Sequence, residues 1–285
     1  MYTERGIMQY ISLLKEPFWY GETNLCQFSD YPCRINGGGV FLCTSGNATI
    51  TTGLLENVIE QNAEMIILPG TTLCMVSTSE NFSVRAFSFS KDLYDKVSLR
   101  LGTSFAQYLR DAPIYVYQEE ELLANAHTWM NMAELIYKHE NDFTVLMQQN
   151  FLQNYLLYLF HWCESHIEQR VGRYTRKQER FHQFLSLLDI YCQEHRDVAF
   201  YADKLCVTPR YLRLITNECS SFESPKEIID KRFILEIKVL LQSTELTIQE
   251  IAEKLHFPDL SYFGRFFKRH TGLSATEYRK NKFIP

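Results

Sequence analysis

Histidine is missing from the first 126 residues of this 285-residue chain; the first one is His127. A front half without imidazole has no means of building a histidine-ligated metal centre. Cysteine is present eight times, at 26, 33, 43, 74, 163, 192, 206 and 219, but never as CxxC, and no Cys/His spacing fits a zinc site. Scattered thiols without a framework fit a reducing compartment, so we expect a cytoplasmic protein with no metal and no cofactor. Long apolar runs are absent too. The longest, Tyr155 to Phe160, is far short of a bilayer span, and no membrane partner is expected. The N-terminal stretch MYTERGIMQYISLLKEPFWY has early charges and no clean apolar centre, so it does not read as a signal peptide.

An excess of positive charge is also lacking: the formal net charge is −5. Taken whole, that argues against a nucleic-acid binder. Split at a polar, basic stretch from Arg170 to Lys177, the balance changes. Residues 1–175 carry 11 Lys/Arg against 19 Asp/Glu, and residues 176–285 carry 18 against 15. An acidic front and a basic back imply that only the back meets phosphate. The length suits two domains, which we place at 1–172 and 173–285.

What the chain does hold begins with short strands. Val40–Thr44 and Ala48–Thr52, separated by Ser45-Gly46-Asn47, give a hairpin signal. Further strands are expected at Val58-Ile59, Glu64–Leu68, Thr71–Ser77 and Phe82–Phe89, with turns between them. Such spacing predicts a sandwich or small barrel, a shape that can enclose a small ligand. Arg34 and Arg85 are the only cations between Pro17 and Ser90, and either can face an anionic group of such a ligand. Solvent-facing strand positions are the plainer alternative for both. Gly37-Gly38-Gly39 lacks the Lys-Ser/Thr of a phosphate loop and reads as a loop or bulge.

Helical patterns follow. One short helix is expected at 92–101. A second has Glu119-Glu120-Glu121 in its first turn, where the helix dipole favours acids, and a third runs over about 143–168. The third is apolar on more than one face, which calls for cover from the barrel or from a second subunit; we expect a homodimer. The two histidines of His161-Trp162-Cys163-Glu164-Ser165-His166 do not share a helical face, so that run is incidental.

The back half carries the strongest pattern. Thr247 with Glu250 forms a capping box ahead of Ile248, Ile251, Ala252 and Leu255. His256-Phe257-Pro258-Asp259 breaks that helix. In the next, Phe263, Phe266 and Phe267 make an apolar stripe opposite Leu260, Ser261, Gly264, Arg265 and Lys268. Gly272 caps it, and Ser274 with Glu277 opens a last short helix. About fifty residues upstream, Tyr201–Val207 parallels Ile251–Phe257, and Thr208-Pro209 starts Arg210–Ile215. Pro225–Gln242 reads as a long helix between the copies. Two helices, a tight turn and a basic outer face, twice over, form a pair of helix-turn-helix units suited to successive major grooves.

Phe257, Asp259, Ser261-Tyr262-Phe263, Arg265, Phe267-Lys268, Gly272 and Tyr278-Arg279 together resemble the signature of the AraC/XylS-type transcription regulators. Two positions depart from it: His256 replaces a usual glycine and Ala275 a usual proline, both matters of turn geometry. The resemblance implies an α+β chain: an N-terminal cupin-like β-barrel with a helical dimerisation segment, then an all-α C-terminal domain with two helix-turn-helix motifs. It implies groove-facing residues Arg210, Arg213 and Leu214 in the first unit and Leu260, Ser261 and Arg265 in the second, with Lys268 and Arg269 on phosphate. It further implies double-stranded DNA, a small-molecule effector and RNA polymerase as partners, and no catalysis. Two other functions fit the same sequence. One is a regulator without effector, whose barrel only dimerises. The other is a cupin-type enzyme with a DNA-binding tail, against which the missing histidines speak.

Overall fold

The computed structural model describes residues 16–29, 32–98, 103–139, 141–171, 176–220, 223–244 and 246–280. The chain divides into two compact units, Met1–Arg170 and Val171–Pro285. The N-terminal stretch, the end of the helix expected at 92–101, and residues 172–175 of the expected linker lie outside the described residues.

The front unit is built from strands β1 (Phe18–Thr23), β2 (Cys33–Arg34), β3 (Gly38–Ser45), β4 (Asn47–Thr52), β5 (Leu55–Glu60), β6 (Ala63–Ile67), β7 (Thr72–Thr78), β8 (Ser83–Phe89) and β9 (Ile114–Val116). They form two antiparallel sheets, one ordered β1-β8-β3-β6-β9 and the other β2-β7-β4-β5. Among the described residues no ladder joins the sheets into a closed ring, so the expected barrel is a pair of stacked sheets. The expected hairpin of β3 and β4 is also corrected. Only Gly46 separates those strands, at φ +70°, and it turns the chain out of one sheet and into the other. Asn62, at φ +66°, makes the return between β5 and β6. The two-residue hairpin is instead β4–β5, closed at Gly53-Leu54 with Thr52 opposite Leu55.

Period-two alternation decides which side each residue takes. From β3, β6 and β8, residues Phe41, Cys43, Met65, Ile67, Val84 and Ala86 point between the sheets, where they meet Trp19, Phe28, Ile50 and Leu73. The alternate set, Val40, Leu42, Ile66, Phe87 and Phe89, faces the helices of the unit. Both faces of the five-stranded sheet are therefore covered, which is why β3 reads as a continuous apolar run, whereas edge strand β5 alternates. Gly37 and Gly38 lie where β3 begins, against Phe89. A methyl group on Gly37 would sit 2.2 Å from the Phe89 carbonyl oxygen, so the glycine run serves close packing.

The covering helices are α1 (Lys91–Ser98), α2 (Thr103–Asp111), α3 (Glu120–Lys138) and α4 (Thr144–Val171). Met130, Ala133, Phe151, Leu152 and Tyr155 pack on the sheet, with Phe151 edge-on to Phe18 and Phe87 at 5.6 and 5.3 Å. The sheet thus covers much of the apolar surface of α3 and α4. Leu135, Phe143, Val145 and Leu146 stay exposed at the α3–α4 connection.

The back unit is helical: α5 (Arg176–Tyr191), α6 (Val198–Lys204), α7 (Pro209–Cys219), α8 (Pro225–Ser243), α9 (Ile248–Lys254), α10 (Leu260–Thr271) and α11 (Ala275–Lys280). The capping boxes at Thr247/Glu250 and Ser274/Glu277 form, as does one at Ser224/Glu227 ahead of α8. Each carboxylate that accepts from its cap backbone is held below the usual range by that hydrogen bonding.

Candidate nucleic-acid interface

The two helix-turn-helix units are copies at the level of single hydrogen bonds. In the first, α6 ends at Cys206, a left-handed residue at φ +54°; its N–H donates to the Asp203 carbonyl and that of Val207 to Ala202, at 3.0 and 2.9 Å. In the second, α9 ends at His256, φ +56°, with the same bonds from His256 to Glu253 and from Phe257 to Ala252, again 3.0 and 2.9 Å. His256 thus stands at a position that needs the left-handed conformation, which explains why glycine suits it. The copies differ by one residue in the turn. Pro258 lengthens the second, so Thr208 caps α7 while Asp259 caps α10.

Aligned on those caps, the recognition helices α7 and α10 bury matching residues. Leu212, Ile215 and Thr216 go inward from α7; Phe263, Phe266 and Phe267 go inward from α10. The opposite faces are open. Arg210, Arg213 and Leu214 on α7 are exposed, as are Leu260, Ser261, Arg265, Lys268 and Arg269 on α10. Each helix therefore brings its expected groove residues onto one solvent-facing side. Tyr211 and Tyr262, at equivalent third positions after the caps, share those faces and are 40% and 45% exposed. They are absent from the expected set; aligning the repeats on their N-caps exposes the match.

The helices behind hold this surface in place. Lys177 on α5 grips both oxygens of Glu218 on α7 at 2.8 Å. Arg180 donates to the Leu205 carbonyl at 3.1 Å. Arg232 on α8 is 3% exposed, reaches Asp189 on α5 at 2.8 Å and pairs with Glu236, itself 1% exposed. Gln193 donates to the second Glu236 oxygen at 2.9 Å. Between the two copies, the Arg196 guanidinium lies 4.7 Å from the Phe233 ring and 4.6 Å from the Phe257 ring, so the loop before α6 grips the turn of the second unit. Burial there pushes the Arg196 pKa below the usual guanidinium range. Gln242 donates to the Tyr278 carbonyl and Arg279 to that of Leu241, fixing α11 against α8.

In the front unit the two candidate effector cations are placed differently. Arg85 lies on the helix-facing side of its sheet, not between the sheets. Its guanidinium donates to the Tyr20 hydroxyl at 2.9 and 2.7 Å and to Asn131 at 2.8 Å, and meets Glu134 at 3.4 Å, which ties β8 to β1 and α3. Arg34 is half-buried on β2 opposite Thr72. Among the described residues no group of three or more His, Cys, Asp and Glu side chains is placed to hold a metal ion. No described helix is long and apolar enough to cross a membrane.

Comparison with known proteins agrees with this geometry. Residues 201–281 match the family described as "Helix-turn-helix domain". The chain is 28% identical over 136 residues to an uncharacterized HTH-type transcriptional regulator, YpdC of Escherichia coli (strain K12), a match covering 46% of each chain. It is 31% identical over 97 residues to the arabinose operon regulatory protein of Salmonella typhimurium, covering 34% of each. The matched stretches are at most about half the length of these relatives. Among solved structures, unsaturated fatty acid bound ToxT from Vibrio cholerae aligns over 93% of this chain and 96% of that one, at 15% identity and a TM-score of 0.45. Residues 201–281 of the C-terminal unit are a helix-turn-helix domain, and the chain is similar to regulators of transcription that carry one.

Proposed function

We propose that the chain is a cytoplasmic, sequence-specific regulator of transcription that binds double-stranded DNA through α7 and α10. One observation carries this reading: two recognition helices, presented by duplicated turns, expose every residue expected to face a groove. On α10, Arg265 reads a base edge bidentately, while Lys268 and Arg269 in the last turn hold phosphate. On α7, Arg210, Arg213 and Leu214 face the groove; Leu214 stands where α10 has Arg265, so this unit makes fewer phosphate contacts and has a different base preference. Helix α8 spaces the two units, whose targets on one face of a duplex recur every ~34 Å. The test is selection of bound duplexes from random DNA with the full-length chain. Enrichment of a site with two half-elements about one helical turn apart is expected. Affinity that is the same for every duplex would refute the reading.

The front unit, in the same proposal, dimerises and answers a small-molecule effector, and the assembly acts on RNA polymerase. Leu135, Phe143, Val145 and Leu146 favour the dimer, with exposures of 58%, 67%, 65% and 52% at one end of the α3–α4 pair. Sedimentation of the purified chain checks this: a monomer at micromolar concentration removes the dimer from the proposal.

A further inference from the structure

Glu64 lies on β6 on the helix-facing side of its sheet and is 2% exposed. Its Oε2 accepts a hydrogen bond from the Tyr117 hydroxyl at 2.6 Å. Its Oε1 is buried and makes no close hydrogen bond among the described residues; the neighbouring Tyr155 hydroxyl, also buried, interacts with the same carboxyl. Beside Glu64 a cavity opens between the sheet edge and helices α2 and α4, with Tyr115, Tyr158 and Trp162 in its wall. Its volume of about 30 Å³ admits about two water-sized groups. Tyr115 meets Trp162 edge-on at 4.4 Å and Tyr117 at 4.9 Å, so contacting aromatic rings line the cavity that Glu64 also lines.

We propose that this cavity is a binding site for a small organic ammonium ion, with Glu64 as its counter-charge. The titratable groups around Glu64 are Tyr117 and Tyr115 on the β9 side, Tyr155, Tyr158 and Cys163 on α4, and Tyr108 on α2. None of them is cationic, and among the described residues no Lys or Arg lines the cavity. A buried carboxylate needs a positive partner. Ring faces attract ammonium groups and, unlike a basic pocket, repel anions. Without such a partner, burial raises the Glu64 pKa to about 7, against the opposing interactions with the Tyr117 and Tyr155 hydroxyls. A bound cation draws the proton off, so binding is coupled to proton release. The inference rests on the effector reading of the front unit only for its regulatory meaning.

The probe is methylammonium, the organic ammonium ion whose two heavy atoms match the cavity, titrated calorimetrically into the protein, with methanol as the neutral control of similar size. Tryptophan occurs only at 19, 129 and 162, so fluorescence gives a second signal from the front unit. Saturable binding of an ammonium probe is expected, at least about tenfold tighter than the matching alcohol, and weakening by about tenfold per pH unit below 7. Glu64→Gln, close in shape to the native side chain, removes the response. Equal binding of alcohol and ammonium overturns the proposal, as does an affinity that ignores pH. No saturable binding means that the cavity holds water alone, and overturns it too. Ammonium binding that leaves duplex binding unchanged would keep the site and remove its regulatory role. Specific duplex binding without ammonium binding would remove the site and leave the proposed DNA-binding function standing.

Discussion

Replacing Glu64 by glutamine alters the stability of the front unit in a way that depends on pH. In the unfolded chain Glu64 titrates near 4.5; in the native chain, desolvation raises it to about 7. Between those values the native protein holds a proton that the unfolded chain has released. The unfolded state binds fewer protons, so stability falls as pH rises through this window. The contribution is fully present below about 4.5 and lost above about 7. The gap corresponds to about 3 kcal/mol. Glutamine keeps an oxygen able to accept from Tyr117 and has no charge to desolvate. The stability of Glu64→Gln relative to wild type is thus expected to rise by about 3 kcal/mol between pH 4.5 and about pH 8. Acids with depressed pKa values, such as Glu134 beside Lys138 and the capping carboxylates, act in the opposite direction. They are common to both proteins and cancel in the difference. Urea denaturation followed by tryptophan fluorescence reads the front unit alone, since no tryptophan lies after Trp162. A difference that stays flat across this range would refute the argument.

Arg265→Ala is expected to remove ~1–3 kcal/mol of discrimination at one base pair; uniform weakening across a set of single-mismatch duplexes would show that Arg265 holds phosphate instead. Arg232→Ala leaves Glu236 charged and buried and should cost the back unit about 3–5 kcal/mol in chemical denaturation. Replacing Arg232 and Glu236 together by methionine should recover most of that loss, and no recovery would place the loss in packing. His256→Gly relieves a left-handed backbone and should stabilise the back unit by about 0.5–1 kcal/mol. A destabilised variant in thermal melts would mean that the imidazole makes a contact of its own.

The amino-acid sequence alone settled the local parts of this protein. Capping boxes, the Phe263/Phe266/Phe267 stripe and the Gly272 cap all depend on neighbours within about one or two helical turns, and the repeat of Tyr201–Val207 in Ile251–Phe257 is legible because each copy is itself a local pattern. Such rules act over short separations. Strand positions were legible for the same reason, since alternation and turn residues are local. Pairing was not. The stretch from Val40 to Thr52 has a hairpin's residues, yet Gly46 sends its halves into different sheets: β3 pairs with β6 and β8 farther along the chain, while β4 pairs with the adjacent β5 and with β7. Side selection was equally hidden. Arg85 and Glu64 are a cation and an acid on strands, and only the stacking of a second sheet and the packing of α3 and α4 decide what they face. Stacking turns Arg85 into a tie between β1, β8 and α3. It also seals Glu64 away from water beside a cavity, a setting that no pattern in one strand can specify because its walls come from β9, α2 and α4.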